Sequence, residues 1–259
     1  MTIGGRATIA AIAVIAFALC DLVHEVLGHG LAVLVVPGVQ AISLSSVALQ
    51  TTGVSRLVAG AGSLANLVVG GCALTFFHRR DRFSPSACFL WMFGTVNLLN
   101  GFGYPLYSAV LGSGDWEVVV RGFEPAIVWR VGLGVVGAIA YVGAVSLSAT
   151  ELARVVAADL VSTTEIPGLV FLAYVVGSTL LVAASAFNPI GPSLILLSGV
   201  SSGFAAMAGL TAIPKLIENR VGPRARGRVA AISFSAGWVG VGLVVAIVFT
   251  AVIGRGIAI

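Results

Sequence analysis

Two histidines and a glutamate lie within six residues of one another in the segment DLVHEVLGHG, inside the first apolar stretch of the chain. They are His24, Glu25 and His29, and the whole sequence holds 3 histidines. Ionisable side chains are costly inside a membrane, so such a cluster indicates a functional site. Imidazole and carboxylate groups are zinc ligands, and a catalytic zinc site also needs a general base beside its water. The cluster therefore predicts that His24 and His29 bind Zn²⁺ and that Glu25 is the base.

The spacing of the two histidines places a condition on their helix. Residues four apart are separated by about 40° around an α-helix, and residues five apart by about 140°. A π-bulge would restore the shared face of His24 and His29, and Gly28 would tolerate the distortion. On an undistorted helix the alternative set is Asp21, Glu25 and His29, with Glu25 as a ligand. A further interpretation is that these groups hydrogen-bond to one another without metal. We favour the π-bulge with metal.

The third metal ligand must come from another part of the chain. Asp115 and Glu117 are acidic residues that follow an apolar stretch interrupted by polar and helix-breaking residues, which are Asn97, Asn100, Gly101, Gly103 and Pro105. Such interruptions are tolerated at membrane depth where the backbone is buried in protein or lines a cavity. Asp115 is therefore the predicted third ligand. The alternative is a solvated aspartate that precedes an interfacial Trp116.

Composition indicates that these residues belong to a membrane protein. Of the 259 residues, 58% are hydrophobic and 9% are charged, whereas soluble domains carry about 25% charged residues. Apolar stretches of about 20 residues have the length of transmembrane helices. The sequence predicts an all-α polytopic membrane protein with about seven spans, at residues 7–36, 57–77, 85–112, 127–148, 168–187, 190–213 and 228–253.

The segments between these spans carry most of the polar residues. Residues 39–56 alternate roughly between apolar residues and Ser or Thr, which predicts a short strand or hairpin at the membrane surface. A seven-span arrangement places ten basic residues on one face and four on the other. Because cytoplasmic loops are enriched in Lys and Arg, this count places the N-terminus in the cytoplasm. The basic residues thus indicate topology, and we expect no nucleic-acid partner.

Three segments in order resemble the site-2 protease family of intramembrane zinc metalloproteases. They are HEVLGHG, then AGSLANL at 61–67, then an Asn- and Pro-containing span that ends at Asp115, and the resemblance covers roughly residues 15–117. It implies a core of three helices and a zinc cofactor. It also implies roles for individual residues: His24, His29 and Asp115 as metal ligands, Glu25 as the base that activates water, and Asn66, Asn97 and Asn100 near the substrate or the aspartate.

The chain departs from the family pattern in several places. It has one extra residue between the histidines, Ser63 where the family has proline, and Trp116 where the family has glycine. The interval from Pro105 to Asp115 is also longer. In the family the His-Glu helix runs toward the cytosol, which would put residues 39–56 and Asp115 on the cytosolic side and reverse the orientation given by the charge count.

These features predict a multi-pass zinc metalloendopeptidase that hydrolyses a peptide bond of a membrane-embedded protein or peptide, within or next to the lipid bilayer. Residues 1–117 would form the metalloprotease-like core, and residues 118–259 a further region of four helices. One alternative is a transporter or channel with an intramembrane relay, formed by Asp21, His24, Glu25 and His29. Another is a non-catalytic relative of the protease, which the extra residue between the histidines favours.

Overall fold

The computed structural model describes residues 1–189, 191, 193, 195–222 and 232–259, and these form a mostly helical protein with one small sheet. The α-helices are α1 (Ile3–Leu22), α2 (Leu31–Val35), α3 (Arg56–His78), α4 (Pro85–Leu111), α5 (Asp115–Val120), α6 (Ala126–Ala157), α7 (Ile166–Ser185), α8 (Ile213–Val221) and α9 (Ala236–Val248). Segments of π-helix lie at Val23–Gly30, Ile195–Ala205 and Phe249–Ile253, and a 3₁₀-helix at Ala208–Ala212. The strands are β1 (Ala41–Leu44), β2 (Leu49–Thr51) and β3 (Ile257–Ala258).

Six helices in the described part of the chain are long and apolar enough to cross a membrane, as expected for a multi-pass membrane protein. They are Ile3–Val35, Arg56–His78, Ala126–Ala157, Ile166–Ser185, Ser198–Val221 and Ala236–Ile253. The sequence predicted seven. The missing one is the predicted span 85–112, which forms the 27-residue helix α4. This helix carries Asn97 and Asn100 among its buried residues, and it is not one of the six helices that are both long and apolar enough.

Local signals in the sequence explain where the helices near the site begin and end. The side chain of Ser55 accepts a hydrogen bond from the Val58 N–H at the start of α3, and Ser84 does the same for α4, whose first residue is Pro85. Gly112 ends α4 in the left-handed conformation, with φ 64°. Gly114 also has positive φ, 88°, and directly precedes α5. These two glycines turn the chain so that Asp115 is the first residue of the short helix α5.

The larger of the two buried hydrophobic clusters among the described residues joins the two predicted regions, 1–117 and 118–259. Helix α4 packs against α3 and α6, while α1 packs against α4, α7 and α9. Trp91 of α4 is fully buried, and its Nε1 donates to the backbone oxygen of Ser148 in α6 at 3.0 Å. The core contains buried side chains from both regions, among them Ile12, Leu99, Leu152 and Leu169. The C-terminal helices therefore share the core on which the N-terminal helices pack.

The hairpin predicted within residues 39–56 is confirmed. Strands β1 and β2 pair antiparallel, with Leu44 opposite Leu49. Strand β3, from the C-terminal segment, pairs with the other edge of β1, which gives the order β2-β1-β3. Strand β3 was not predicted, because a two-residue strand has no hydrophobic pattern of its own.

Other expectations differ in detail from the structure or fall outside it. Helix α6 continues to Ala157, beyond the predicted end of its span at residue 148. The basic segment 215–228 is expected from its sequence to be a loop, but it begins inside helix α8. Its later part, with Arg224, Arg226 and Arg228, lies outside the described residues. The orientation of the N-terminus stays a prediction.

Candidate metal centre

The helix that carries the histidines widens at the predicted place. Residues Val23–Gly30 form a π-helix between α1 and α2, so the turn closes after five residues. His24 and His29 therefore lie on one face, with ring centroids 4.7 Å apart and ring planes at 86°. The structure thus has the arrangement favoured for the five-residue spacing. Among the described residues, the close group of His24, Glu25 and His29 includes neither Asp21, which belongs to the alternative set, nor Asp115.

Two glycines allow this segment to pack closely against α3. A Cβ on Gly28 would overlap the Cα of Gly62. A Cβ on Gly62 would in turn lie 2.6 Å from Nε2 of His24. Small residues allow helix backbones to approach one another in membrane proteins. At this crossing they also leave the space that the His24 ring fills.

Both imidazoles point their Nε2 atoms at one carboxylate oxygen. Oδ2 of Asp115 lies 3.0 Å from Nε2 of His24 and 3.3 Å from Nε2 of His29. Ligands held at the zinc–nitrogen and zinc–oxygen distances of a tetrahedral site are about 3.3 Å from one another. The two distances from Oδ2 to the Nε2 atoms are close to this value, and they are also the distances of hydrogen bonds.

The other nitrogen of each ring is held by an acceptor on α3. Nδ1 of His29 donates to the backbone oxygen of Val58 at 2.6 Å, and Nδ1 of His24 donates to Oδ1 of Asn66 at 2.8 Å. When Nδ1 carries the proton, the neutral ring has its lone pair on Nε2. Such partners fix both the tautomer and the orientation of histidines that bind metals.

A chain of side-chain hydrogen bonds fixes the orientation of the Asn66 amide. Its Nδ2 donates to the backbone oxygen of Cys20 at 3.0 Å and to Oδ1 of Asn97 at 2.8 Å. Nδ2 of Asn97 donates to the backbone oxygen of Phe93 at 2.8 Å. Because both hydrogens of the Asn66 amide nitrogen are donated, Oδ1 of Asn66 is the atom that faces His24. This series of hydrogen bonds ends on backbone oxygens, which fix its direction. It therefore determines which nitrogen of His24 faces Asp115.

Glu25 lies next to the histidines and is held by the hairpin. One of its carboxylate oxygens lies within 4.8 Å of a ring nitrogen of His24 and of a ring nitrogen of His29. Its Oε2 accepts a hydrogen bond from the backbone N–H of Leu49, the first residue of β2, at 2.6 Å. The surface hairpin therefore fixes the position of the predicted base.

The side chains of the site are buried, except for the partly exposed Asp115. The exposed fractions are 3% for His24, 5% for Glu25 and 7% for His29, whereas the Asp115 side chain is 21% exposed. Burial alone would raise the pKa of Asp115. The hydrogen bonds from the two imidazoles outweigh it, so this carboxyl has a pKa below its usual range. A proton on Nε2 of either imidazole makes its contact with Asp115 a hydrogen bond, and a bound metal ion would take the place of such protons.

The three asparagines that the resemblance placed near the substrate have different surroundings. Asn66 and Asn97 are fully buried, and their polar atoms are used by the chain that orients His24. Asn100 donates weakly to Sγ of Cys20 at 3.6 Å, and its Oδ1 is buried without a hydrogen-bond partner. Only Asn100 of these three therefore has a polar atom left for a ligand.

Three contacts at the site were not predicted. Nε1 of Trp116 donates to Oγ of Ser63 at 3.0 Å, which ties α5 to α3 next to Asp115. The ring of Tyr104 stacks on that of His24, with centroids 4.8 Å apart. The backbone oxygen of Val58 has no sequence signature. Ser63 and Trp116 do have a sequence signature, because both depart from the site-2 protease pattern. Nothing in the sequence showed that these two residues are partners.

Comparison with known protein families, with characterised proteins and with solved structures finds no match to this chain. The function is therefore argued from the geometry of the site itself.

Proposed function

We propose that this chain is an intramembrane zinc metalloendopeptidase in which His24, His29 and Asp115 bind Zn²⁺ and Glu25 is the general base. The observation that carries the proposal is the convergence of two Nε2 atoms on Oδ2 of Asp115, at 3.0 and 3.3 Å, beside the Glu25 carboxylate. Nitrogen and carboxylate donors in a set of three, with a separate carboxylate next to them, make up a hydrolytic zinc site.

The surroundings of each donor support this proposal. Neutral imidazole is the form that binds a metal, and the acceptors on Nδ1 of both histidines favour that form with Nε2 free. The partial exposure of Asp115 leaves one side through which water and substrate can reach the site.

The proposed reaction assigns a proton transfer to Glu25. Bound Zn²⁺ supplies Lewis acidity, which polarises a peptide carbonyl and lowers the pKa of a water molecule. The Glu25 carboxylate takes a proton from the attacking water and gives it to the departing amine nitrogen. The Leu49 N–H occupies Oε2 of Glu25, so Oε1 is the oxygen that accepts the proton. His24, His29 and Asp115 keep their positions during this transfer.

Metal content of the detergent-purified protein tests the proposal, measured with cleavage of a transmembrane peptide substrate. We expect about one zinc per chain, lost in His24→Ala, His29→Ala and Asp115→Ala. Glu25→Gln should keep zinc and lose cleavage. The matched controls are His78→Ala, since His78 is 60% exposed and pairs with Glu151, and Glu117→Ala, since Glu117 pairs with Arg121.

Two results would contradict this function. One is a wild-type protein without metal after purification in the absence of chelators. The other is cleavage by Glu25→Gln at the wild-type rate. A proton or metal flux into liposomes that depends on Asp21 and the two histidines would instead support the relay.

A further inference from the structure

A half-enclosed cavity of about 390 Å³ lies between α4, α6 and the segment 198–208. Its wall is almost entirely apolar, and its size is that of small-molecule and side-chain binding pockets. Tyr104 and Leu106 of α4, Tyr141 of α6, and Ser202 and Ala205 of the π-helical segment are among its lining residues. Much of this wall comes from residues beyond 117, the part of the chain that the family resemblance does not cover.

The cavity adjoins the metal centre through one side chain. Tyr104 lines the cavity and also stacks on the His24 ring, with centroids 4.8 Å apart and ring planes at 24°. Tyr104 is therefore the partition between the cavity and a proposed zinc ligand. An occupant of the cavity would therefore lie next to the side chain that stacks on a proposed zinc ligand.

The cavity wall also holds an unused hydrogen-bond acceptor. Asn100 is 6% exposed, and its Oδ1 is buried without a partner. Buried polar atoms are nearly always paired, so an acceptor without a partner on a residue that lines the cavity favours an occupant with a donor. A peptide has backbone N–H donors, whereas a lipid acyl chain has none. This acceptor favours a peptide as the occupant.

We infer that this cavity is a specificity subsite, which takes a large apolar side chain of the substrate next to the scissile bond. The inference rests on the proposed peptidase function and adds the substrate class. Residues with long or aromatic apolar side chains would be preferred at that position, because their burial removes apolar area from water or headgroups. Glycine or alanine there would leave the cavity unfilled.

Two peptide hydroxamates test this subsite, identical except for a leucine or a glycine side chain next to the hydroxamate. Binding constants come from fluorescence anisotropy with labelled probes on detergent-purified protein. We expect the wild type to bind the leucine probe at least about tenfold more tightly, since burial of one leucine side chain is worth that much. In Ala205→Phe, which fills the cavity, the ratio of the two affinities should fall toward one. Val244→Phe, on the outer face of α9 where Val244 is 61% exposed, is the matched control and should keep the ratio.

The outcomes separate the subsite from the function on which it rests. A protein that binds neither probe and holds no zinc refutes both. A zinc-bound protein that binds both probes equally, or an Ala205→Phe variant that keeps the wild-type ratio, refutes the subsite alone. Zinc content reports whether each variant still folds; if Ala205→Phe has lost zinc, Ser202→Leu replaces it. A lipid that co-purifies with the wild type but not with Ala205→Phe would show an acyl chain as the occupant and overturn the inference.

Discussion

Replacing Gly62 with alanine tests the metal centre with one added methyl group. The new Cβ would lie 2.6 Å from Nε2 of His24, and 2.7 and 2.8 Å from two ring carbons. Ordinary contact starts at 3.4 Å, so relief of the contact from 2.6 to 3.4 Å requires a shift of about 0.8 Å. Zinc–ligand distances vary by only about 0.2 Å. The ring has little freedom to move, because Asn66 holds its Nδ1 and Tyr104 stacks on its face.

We expect Gly62→Ala to weaken zinc binding by roughly 10- to 100-fold, as loss of correct ligand placement does in other zinc sites. The measurement is competition with a chromophoric chelator on detergent-purified protein. Circular dichroism should show the helices intact, because alanine is a better helix former than glycine.

The control for this variant is Gly71→Ala. It lies on the same helix α3 and has no atom within 4 Å of the added Cβ. If Gly62→Ala bound zinc as tightly as Gly71→Ala, Nε2 of His24 would not be at the metal, and the reasoning would fail.

Four further single variants, and one double variant, test the parts that position the ligands. Asn66→Leu removes the acceptor that fixes the His24 tautomer, so we expect zinc affinity to fall by roughly 10- to 100-fold in the same chelator competition; unchanged affinity would contradict this role. Ser63→Ala and Trp116→Phe each remove one hydrogen bond, worth about 1 kcal/mol. Each should weaken zinc binding by about fivefold, and the double variant by no more than either single one; additive losses would show that the two residues act separately. Gly28→Ala places its Cβ against backbone that cannot yield, and should lower thermal stability in detergent by about 1–3 kcal/mol, measured by circular dichroism.

Much of the helical architecture could be predicted because it depends on local sequence. Apolar stretches of the right length located the helices, and the alternation in residues 39–56 located the hairpin. The five-residue spacing of His24 and His29 predicted the widened turn, because metal ligands on one face need i→i+5 geometry. Each of these inferences uses residues that are close together in sequence.

The rest depends on contacts between distant parts of the chain. Oδ1 of Asn66 faces His24 because Asn97 and Cys20 use both hydrogens of its amide, and these partners are 31 and 46 residues away. Strand β3 pairs with a hairpin more than 200 residues earlier in the chain. The seventh predicted span is helix α4, where Asn97 is buried and accepts a hydrogen bond from Asn66 of α3, a contact that the sequence of α4 alone does not show.

The places where the chain departs from the site-2 protease pattern are linked to one another in the structure. This linkage favours the proposed metal site over the interpretation as a non-catalytic relative. The extra residue between the histidines is accommodated by the π-helix. That segment packs on α3 where two glycines meet, and Gly62 leaves room for His24. Ser63, next in sequence, accepts the hydrogen bond from Trp116, and this contact holds the helix that begins with Asp115. Substitutions that accumulate after a function is lost have no reason to pair across helices around the same three donor atoms. This pairing supports the proposed metal centre over the interpretation as a non-catalytic relative.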